Sequence, residues 1–397
     1  IHLFSHDDKD LMKTVRVGII GVGGMGAAHA HSILNKQIRR MELTAVCDVV
    51  PAKMQPFTTA KHFASSAALI GSGLVDAVII ATPHYAHTTI GIEALKRGLH
   101  VLVEKPISVH KQDCERLIAA HQGRKQVFAA MFQMRTDNRY RKVRELVRNG
   151  ELGELRRVVW VITNWFRTQA YYNSSDWRAT WAGEGGGVLL NQCPHNLDLL
   201  QWMCGMPSRV RAACHFGKYH AIEVEDDVTA YFEYANGATG VFVTTTGEAP
   251  GSNRLEITGD RGKVIIEHGA ITFTRTVTSV KAFTKTSPDL FSTPEVWDIT
   301  IPAHGGGQHA DILNNFTDAI LDRTPLIAPA SEGIHSVELA NAMLLSTWTN
   351  SMIELPLNAA KYAVHLKKLI ATSTFTKKTN RAAAATAHDL SGSAAKI

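Results

Sequence analysis

Nowhere in the sequence does an apolar run reach the ~18 residues that a membrane-crossing helix needs. No membrane partner is expected. The five cysteines, Cys47, Cys114, Cys193, Cys204 and Cys214, are odd in number, scattered and never spaced C-x-x-C. This excludes a disulfide framework and a cysteine-held zinc. No metal is expected, and the thiols read as reduced, in a cytoplasm. Long blocks of one charge are missing too. A net charge of +6 is a modest excess over 397 residues, so nucleic acid is not an expected partner. No internal repeat is visible. The opening IHLFSHDDKD is polar and acidic, unlike a secretory leader. Met12-Lys13-Thr14 reads as a natural start, which makes residues 1–11 an extension.

What is present is an ordinary globular composition, 45% hydrophobic and 20% charged, in a chain long enough for two domains. The stretch from Val15 to Asp48 organises the first. A short apolar run (Val15, Val17, Ile19, Ile20) stops at Gly21-Val22-Gly23-Gly24-Met25-Gly26, which holds the spacing G-x-G-x-x-G. Gly21 permits a tight turn, Gly23 lets a pyrophosphate approach the backbone, and Gly26 lets the following helix pack close to the strand. The helix start presents unpaired N–H groups to the phosphates. A second apolar run ends at Asp48, 22 residues past Gly26, near the ~20 expected of an acid that binds the adenosine ribose. That carboxylate repels a 2′-phosphate, and Val49, Val50 and Pro51 offer no cation to hold one. NAD is favoured over NADP, and the mild positive charge suits an anionic dinucleotide.

The first domain continues as alternating strands and helices. A helix is expected near Ala52–Phe63, a third strand at Val75–Ala81 and a helix at Tyr85–Arg97, stopped by Gly98. A fourth strand, His100–Val103, a helix at His110–His121 and a fifth strand at Val127–Met131 follow. The alternation predicts a doubly wound parallel sheet over residues 12–136. The basic segment Arg139–Arg148 reads as a connecting helix with a solvated face. From Leu155 the strands come in series: Arg157–Trp165, Val210–Tyr219, Val228–Tyr234, Ala238–Thr246, Arg254–Thr258, Lys263–Glu267 and Ile271–Val277. Turns at Asn236-Gly237 and Asp260-Arg261-Gly262 join several of them. One helix, about Val188–Cys204, interrupts. This predicts a mostly antiparallel open sheet over residues 137–367, an α+β domain whose uncovered face suits a homodimer or homotetramer. Helices return at Gln308–Leu321 and Glu332–Ser351. Residues 368–397, rich in Ala, Thr and Lys, read as a tail or arm.

Ligands of open α/β sheets bind at the carboxyl ends of the strands. Those ends carry Thr82-Pro83-His84, Glu104-Lys105-Pro106, and Gln133 with Arg135. A lysine at the end of a buried strand could hydrogen-bond a substrate hydroxyl and steady a developing alkoxide. The alternative is a structural pair with Glu104. A second constellation runs from Gly185-Gly186-Gly187 through Asn191 to His195 and Asp198. Asn191 and His195, four apart, are expected to share a helix face. An imidazole there could take or give a proton. Trp165, Tyr171, Tyr172, Trp177 and Trp181 are candidates to stack on a sugar, against the alternative of ordinary packing.

The ordered set GVGGMG with Asp48, ATPHYAH, Glu104-Lys105-Pro106, Trp177-Arg178 and GGGVLLNQCPHNLD resembles the Gfo/Idh/MocA family (glucose–fructose oxidoreductase, inositol dehydrogenase and relatives) from Val15 to about Leu355. The resemblance implies that Lys105 and His195 are the catalytic pair. It implies that Thr82, Pro83, His84, His87, Glu104, Lys105 and Arg178 join Gly21–Gly26 and Asp48 at the cofactor. Gln133, Asn191, Trp177 and Arg178 are expected to touch substrate. The expected activity is NAD-dependent oxidation of a secondary hydroxyl of a sugar, cyclitol or glycoside. Two other functions stay open: glycoside cleavage by transient C3 oxidation and elimination, and a non-catalytic dinucleotide-binding regulator. One departure stands out. Family members commonly carry Asp where this chain has Asn191, and an amide supplies no negative charge to Lys105 or His195.

Overall fold

The protein is described here by a computed structural model covering residues 14–306 and 308–373. Six strands, β1 (Val15–Ile20), β2 (Met41–Cys47), β3 (Lys61–Phe63), β4 (Ala77–Ile80), β5 (His100–Val103) and β6 (Phe128–Ala130), form the first sheet. Their order is β3-β2-β1-β4-β5-β6, and every pair is parallel. Strands buried on both faces are apolar throughout, as Ala77-Val78-Ile79-Ile80 is. The helices α1 (Gly24–Leu34), α2 (Ser66–Ile70), α3 (His84–Lys96) and α4 (Lys111–His121) connect them. The expected doubly wound parallel sheet is present. The expected helix over Ala52–Phe63 is not. Pro51 and Pro56 break it, only Pro51–Lys53 makes a single 3₁₀ turn, and Lys61–Phe63 becomes the edge strand β3.

The chain then crosses through α5 (Asn138–Arg148) to a nine-stranded sheet. Its strands are β7 (Leu155–Ile162), β8 (Arg209–Phe216), β9 (Glu225–Glu233), β10 (Thr239–Thr245), β11 (Asn253–Gly259), β12 (Gly262–Glu267), β13 (Ala270–Thr276), β14 (Val296–Ile301) and β15 (Ile353–Glu354). They lie in the order β14-β13-β12-β11-β7-β10-β9-β8-β15. All pairs are antiparallel except β7 with β10. The edge strand β14 was not among the strands expected from the sequence, and most of its side chains, Val296 and Trp297 among them, are exposed. The remaining helices are α6 (Gln169–Tyr172), α7 (Pro194–Cys204), α8 (Val280–Thr286), α9 (His309–Asp322), α10 (Gly333–Thr349) and α11 (Ala359–Thr372). Helices α7 and α10 cover one face of the second sheet, and their Leu197, Leu200, Leu344 and Leu345 join its core.

Three expectations change. The helix foreseen from Val188 starts at Pro194, because a proline without an N–H suits the first turn. Residues before it coil through turns, with Asn191 N–H donating to Gly187 O at 2.9 Å. Asn191 therefore does not share a helix face with His195. Second, α9 folds back onto the first sheet, placing Ile312, Leu313 and Phe316 in its core. Third, the supposed tail begins inside α11, which Asn358 caps and which buries Tyr362 and Leu366. The rest of the tail, the Met12 start and residues 1–11 lie outside the described residues. No helix among the described residues is long and apolar enough to cross a membrane.

Candidate active site

A cavity of about 960 Å³ opens at the carboxyl ends of the first sheet and is closed by the second domain. The glycine turn forms its floor. Gly21 sits at φ +90°, where a side chain would meet Ala81 O at 2.7 Å. A Cβ on Gly26 would lie 1.8 Å from Gly21 O, so α1 reaches its place only without one. A Cβ on Gly23 would meet nothing within 4 Å. Gly21, Gly23, Gly24 and Met25 face the cavity. Val22 and Gly26 are expected ligand contacts that do not line it. Val22 is 3% exposed, and its N–H donates to Asp48 Oδ2 at 3.0 Å. The two residues shape the turn. This yields a contrast. Gly23→Ala should leave thermal stability unchanged yet weaken dinucleotide binding at least about tenfold, because its methyl enters ligand space. Gly26→Ala should lower both, and calorimetry beside NADH titration reads the difference.

Asp48 directly follows β2 and is 8% exposed. It accepts the N–H groups of Val22 and, at 2.9 Å, Val50. Lys53 Nζ approaches Asp48 Oδ1 to 3.8 Å, a cation that the sequence reading did not place there. On the next strand end, the His87 ring spans Pro106 O at 2.9 Å and Thr82 O at 2.8 Å. It ties two strand ends together. Thr82, Pro83, His84 and His87 all line the cavity.

Glu104 and Lys105 part company. Glu104 pairs with His29 at 2.7 Å and accepts the main-chain N–H of Lys105 at 3.2 Å, while the Lys105 ammonium goes elsewhere. Burial pushes the Glu104 carboxyl up, but the His29 hydrogen bond and charge outweigh it and hold it at about 2. Lys105 Nζ donates to Asn191 O at 2.6 Å. Burial lowers the Lys105 pKa from its ordinary value, with Glu104 and Glu184 opposing. His195, on the first turn of α7, points into the same cavity. Its Nε2 lies 3.2 Å from Gln133 Nε2, and Phe132 meets its ring edge-on at 6.0 Å. Burial, then the charge of Lys105, puts the imidazole pKa well below its ordinary value. His309, from α9, also faces the cavity and is pushed down to about 4, by burial and by His29.

Of the aromatic candidates, Trp165, Tyr171 and Trp177 line the cavity. Tyr172 and Trp181 do not. Tyr172 is buried with its hydroxyl 2.7 Å from Thr246 Oγ1, and Trp181 packs on Trp348 at 5.7 Å. Arg135 also leaves the site. It is 1% exposed and grips Asp198 through two bonds of 2.6 and 2.7 Å.

Residues 15–132 match an oxidoreductase family with an NAD-binding Rossmann fold, and residues 140–265 match the GFO/IDH/MocA C-terminal domain. The chain belongs to the Gfo/Idh/MocA family. It is similar to the inositol 2-dehydrogenase of Salmonella paratyphi B, 31% identical over 147 residues, 36% of this chain and 44% of that protein. The chain thus spans 44% of the length of that curated relative. The inositol 2-dehydrogenase of Leifsonia xyli subsp. xyli is 26% identical over 313 residues, 72% of this chain and 88% of the relative. Among solved structures, the WlbA dehydrogenase from Bordetella pertussis, in complex with NADH and UDP-GlcNAcA, superposes with a TM-score of 0.73 at 26% identity. That match covers 87% of this chain and 100% of the other.

In this Gfo/Idh/MocA chain the sequence reading missed His29, Lys53, Glu184 and His309. Three of them sit outside any motif, brought in by α1, the β2–β3 loop and α9. Glu184 was the legible one, since it directly precedes Gly185.

Proposed function

We propose that the chain oxidises a secondary hydroxyl of a sugar, cyclitol or glycoside, or reduces the matching ketone, with NAD as hydride partner. Lys105 and His195 handle the proton. The observation that carries this reading is that both side chains, from different domains, line the cavity that begins at the glycine turn. The residues fit a dinucleotide. The free space above Gly23 and the N–H groups at the start of α1 suit a diphosphate. Asp48 would hold the adenosine ribose, and Thr82, Pro83, His84, His87, Glu104 and Arg178 the nicotinamide half.

Bound there, NAD supplies the hydride acceptor. The Lys105 ammonium has three donors and spends one on Asn191 O. The others are free to steady the oxygen of a substrate as it becomes an alkoxide. His195 is neutral at physiological pH and can accept the hydroxyl proton. Gln133, Asn191, Trp177 and Arg178 would hold the remaining hydroxyls and ring. The test is a panel of sugars, inositols and glycosides with NAD, followed at the nicotinamide absorbance and by product analysis. Net NADH formation with a ketone product is expected. Turnover without NADH build-up marks the transient oxidation and elimination route, and no turnover anywhere defeats the proposal.

Asp48 supports NAD over NADP, because a second charge would face a buried carboxylate. Asp48→Ala should weaken NAD binding roughly 10- to 100-fold, the loss of charge-assisted hydrogen bonds. It should also narrow the preference over NADP, since Lys53 remains beside the gap. Titration with both reduced dinucleotides reads the ratio, and an unchanged ratio counts against the assignment. We further propose a homodimer or homotetramer through the second-sheet face turned from α7 and α10, where Tyr231 is 37% exposed. Sedimentation measures it, and a monomer at micromolar concentration refutes it.

A further inference from the structure

Asn191 carries no charge, yet its main-chain oxygen holds Lys105 Nζ at 2.6 Å. The anion nearby is Glu184, seven residues earlier and 1% exposed. Glu184 Oε1 accepts a hydrogen bond from Asn191 Nδ2. Glu184 Oε2 accepts the Ala179 N–H at 2.6 Å, next to Arg178. Its main-chain oxygen lies 3.3 Å from His84 Nδ1. The Tyr171 hydroxyl donates to Asn191 Oδ1 at 3.2 Å and accepts from Arg178 Nη1 at 2.5 Å and Gln192 Nε2 at 3.2 Å. One buried carboxylate thus fixes both the segment that grips Lys105 and the segment that carries Arg178.

We propose that Glu184 is a positioning residue for the reaction, the buried anion that holds Asn191, and through it Lys105, in place and sets a negative charge behind that ammonium. The inference rests on Lys105 acting in the reaction. Asn191 brings no charge of its own, and the negative charge enters from the other side of its amide. The field of a buried carboxylate is felt more strongly than that of an exposed one. The charged and titratable groups that bear on Lys105 are Glu104 at the end of β5, Glu184, Arg178 and Cys193. His84, His195 and His309 in turn feel its charge. Of the two carboxylates, Glu104 bears on Lys105 more strongly and is paired with His29, whereas Glu184 is the one hydrogen-bonded to Asn191, the support of the Lys105 ammonium.

Glu184→Gln removes the charge and keeps the shape. Losing an anion makes the ammonium less stable, so the Lys105 pKa should fall by about one unit. Two measurements read this. The alkaline limb of the kcat/KM profile should move about one pH unit lower. The pH dependence of Lys105 carbamylation by cyanate, followed by peptide mass spectrometry in the protein without substrate, should move by the same amount. Asn191→Asp added to Glu184→Gln should return both profiles towards the parent. A slower enzyme with both profiles unmoved would overturn the proposal and leave Glu184 a purely structural residue. Activity surviving in Lys105→Ala would instead overturn the catalytic reading, while the carbamylation profile still reports on Glu184.

Discussion

Replacing Lys105 with alanine is expected to lower kcat/KM roughly 100- to 10,000-fold, the usual worth of a positioned acid–base group. NADH affinity should fall far less than kcat/KM, because Lys105 is one contact at the nicotinamide end while the glycine turn and Asp48 lie on other strand ends. Lys105 is fixed at the end of β5, with its ammonium on Asn191 O. Alanine removes both the donor to the substrate oxygen and the positive charge beside His195. With that charge gone, the imidazole pKa should rise, because Lys105 is the second largest cause of its depression after burial. His195→Asn should cost a similar factor. The double variant should lose far less than the product of the two, since residues acting as one unit are not additive. Single-turnover kinetics with NAD and stopped-flow NADH binding separate the chemical step from cofactor affinity. Near-parent activity in either single variant would remove that residue from the mechanism.

Replacing Asp198 with asparagine is expected to lower folding stability by about 3–5 kcal/mol, the cost of stranding one partner of a buried ion pair. The Arg135 side chain is almost wholly enclosed, between Asp198, the Ile327 carbonyl and the half-exposed Glu332. Asparagine keeps the volume of Asp198 and removes its charge, so the buried guanidinium is left with the half-exposed Glu332 as its anion. Removing both charges together, as Arg135→Met with Asp198→Leu, should cost less than the single change. Urea unfolding of the three proteins makes the cycle. A double variant as unstable as Asp198→Asn would mean that packing, not charge, is what the pair supplies. Because Asp198 follows His195 by one turn of α7, the single variant should also slow the reaction.

The first domain was legible because its signals are local. Apolar runs such as Val78-Ile79-Ile80 and glycines at fixed offsets specify strand, turn and helix within a few residues. The second domain was legible as strands in series, but its edges were not. Val296–Ile301 lies at the sheet edge with most of its side chains exposed, and its short alternation of Trp297, Ile299 and Ile301 with Asp298 and Thr300 is the one signal it offers. The helix start at Pro194 was misplaced by six residues, because Val188-Leu189-Leu190 is buried by the second sheet and not by a helix face.

The candidate site divides along the same line. Lys105 and Asp48 could be named because each follows a strand whose position the pattern fixes, whereas His195 was named through the family resemblance of its motif, the start of its helix being misplaced. The amino-acid order alone set the glycine turn, the acid after the second strand and the lysine after the fifth, since these depend on contacts between near neighbours. Only the tertiary structure decided that Glu104 belongs to His29, that Arg135 belongs to Asp198, and that Glu184 stands behind Asn191. Those pairings join residues far apart in the chain or on opposite sides of a turn. A charge finds its partner by distance in space, and that distance exists only once the two sheets have closed over one cavity.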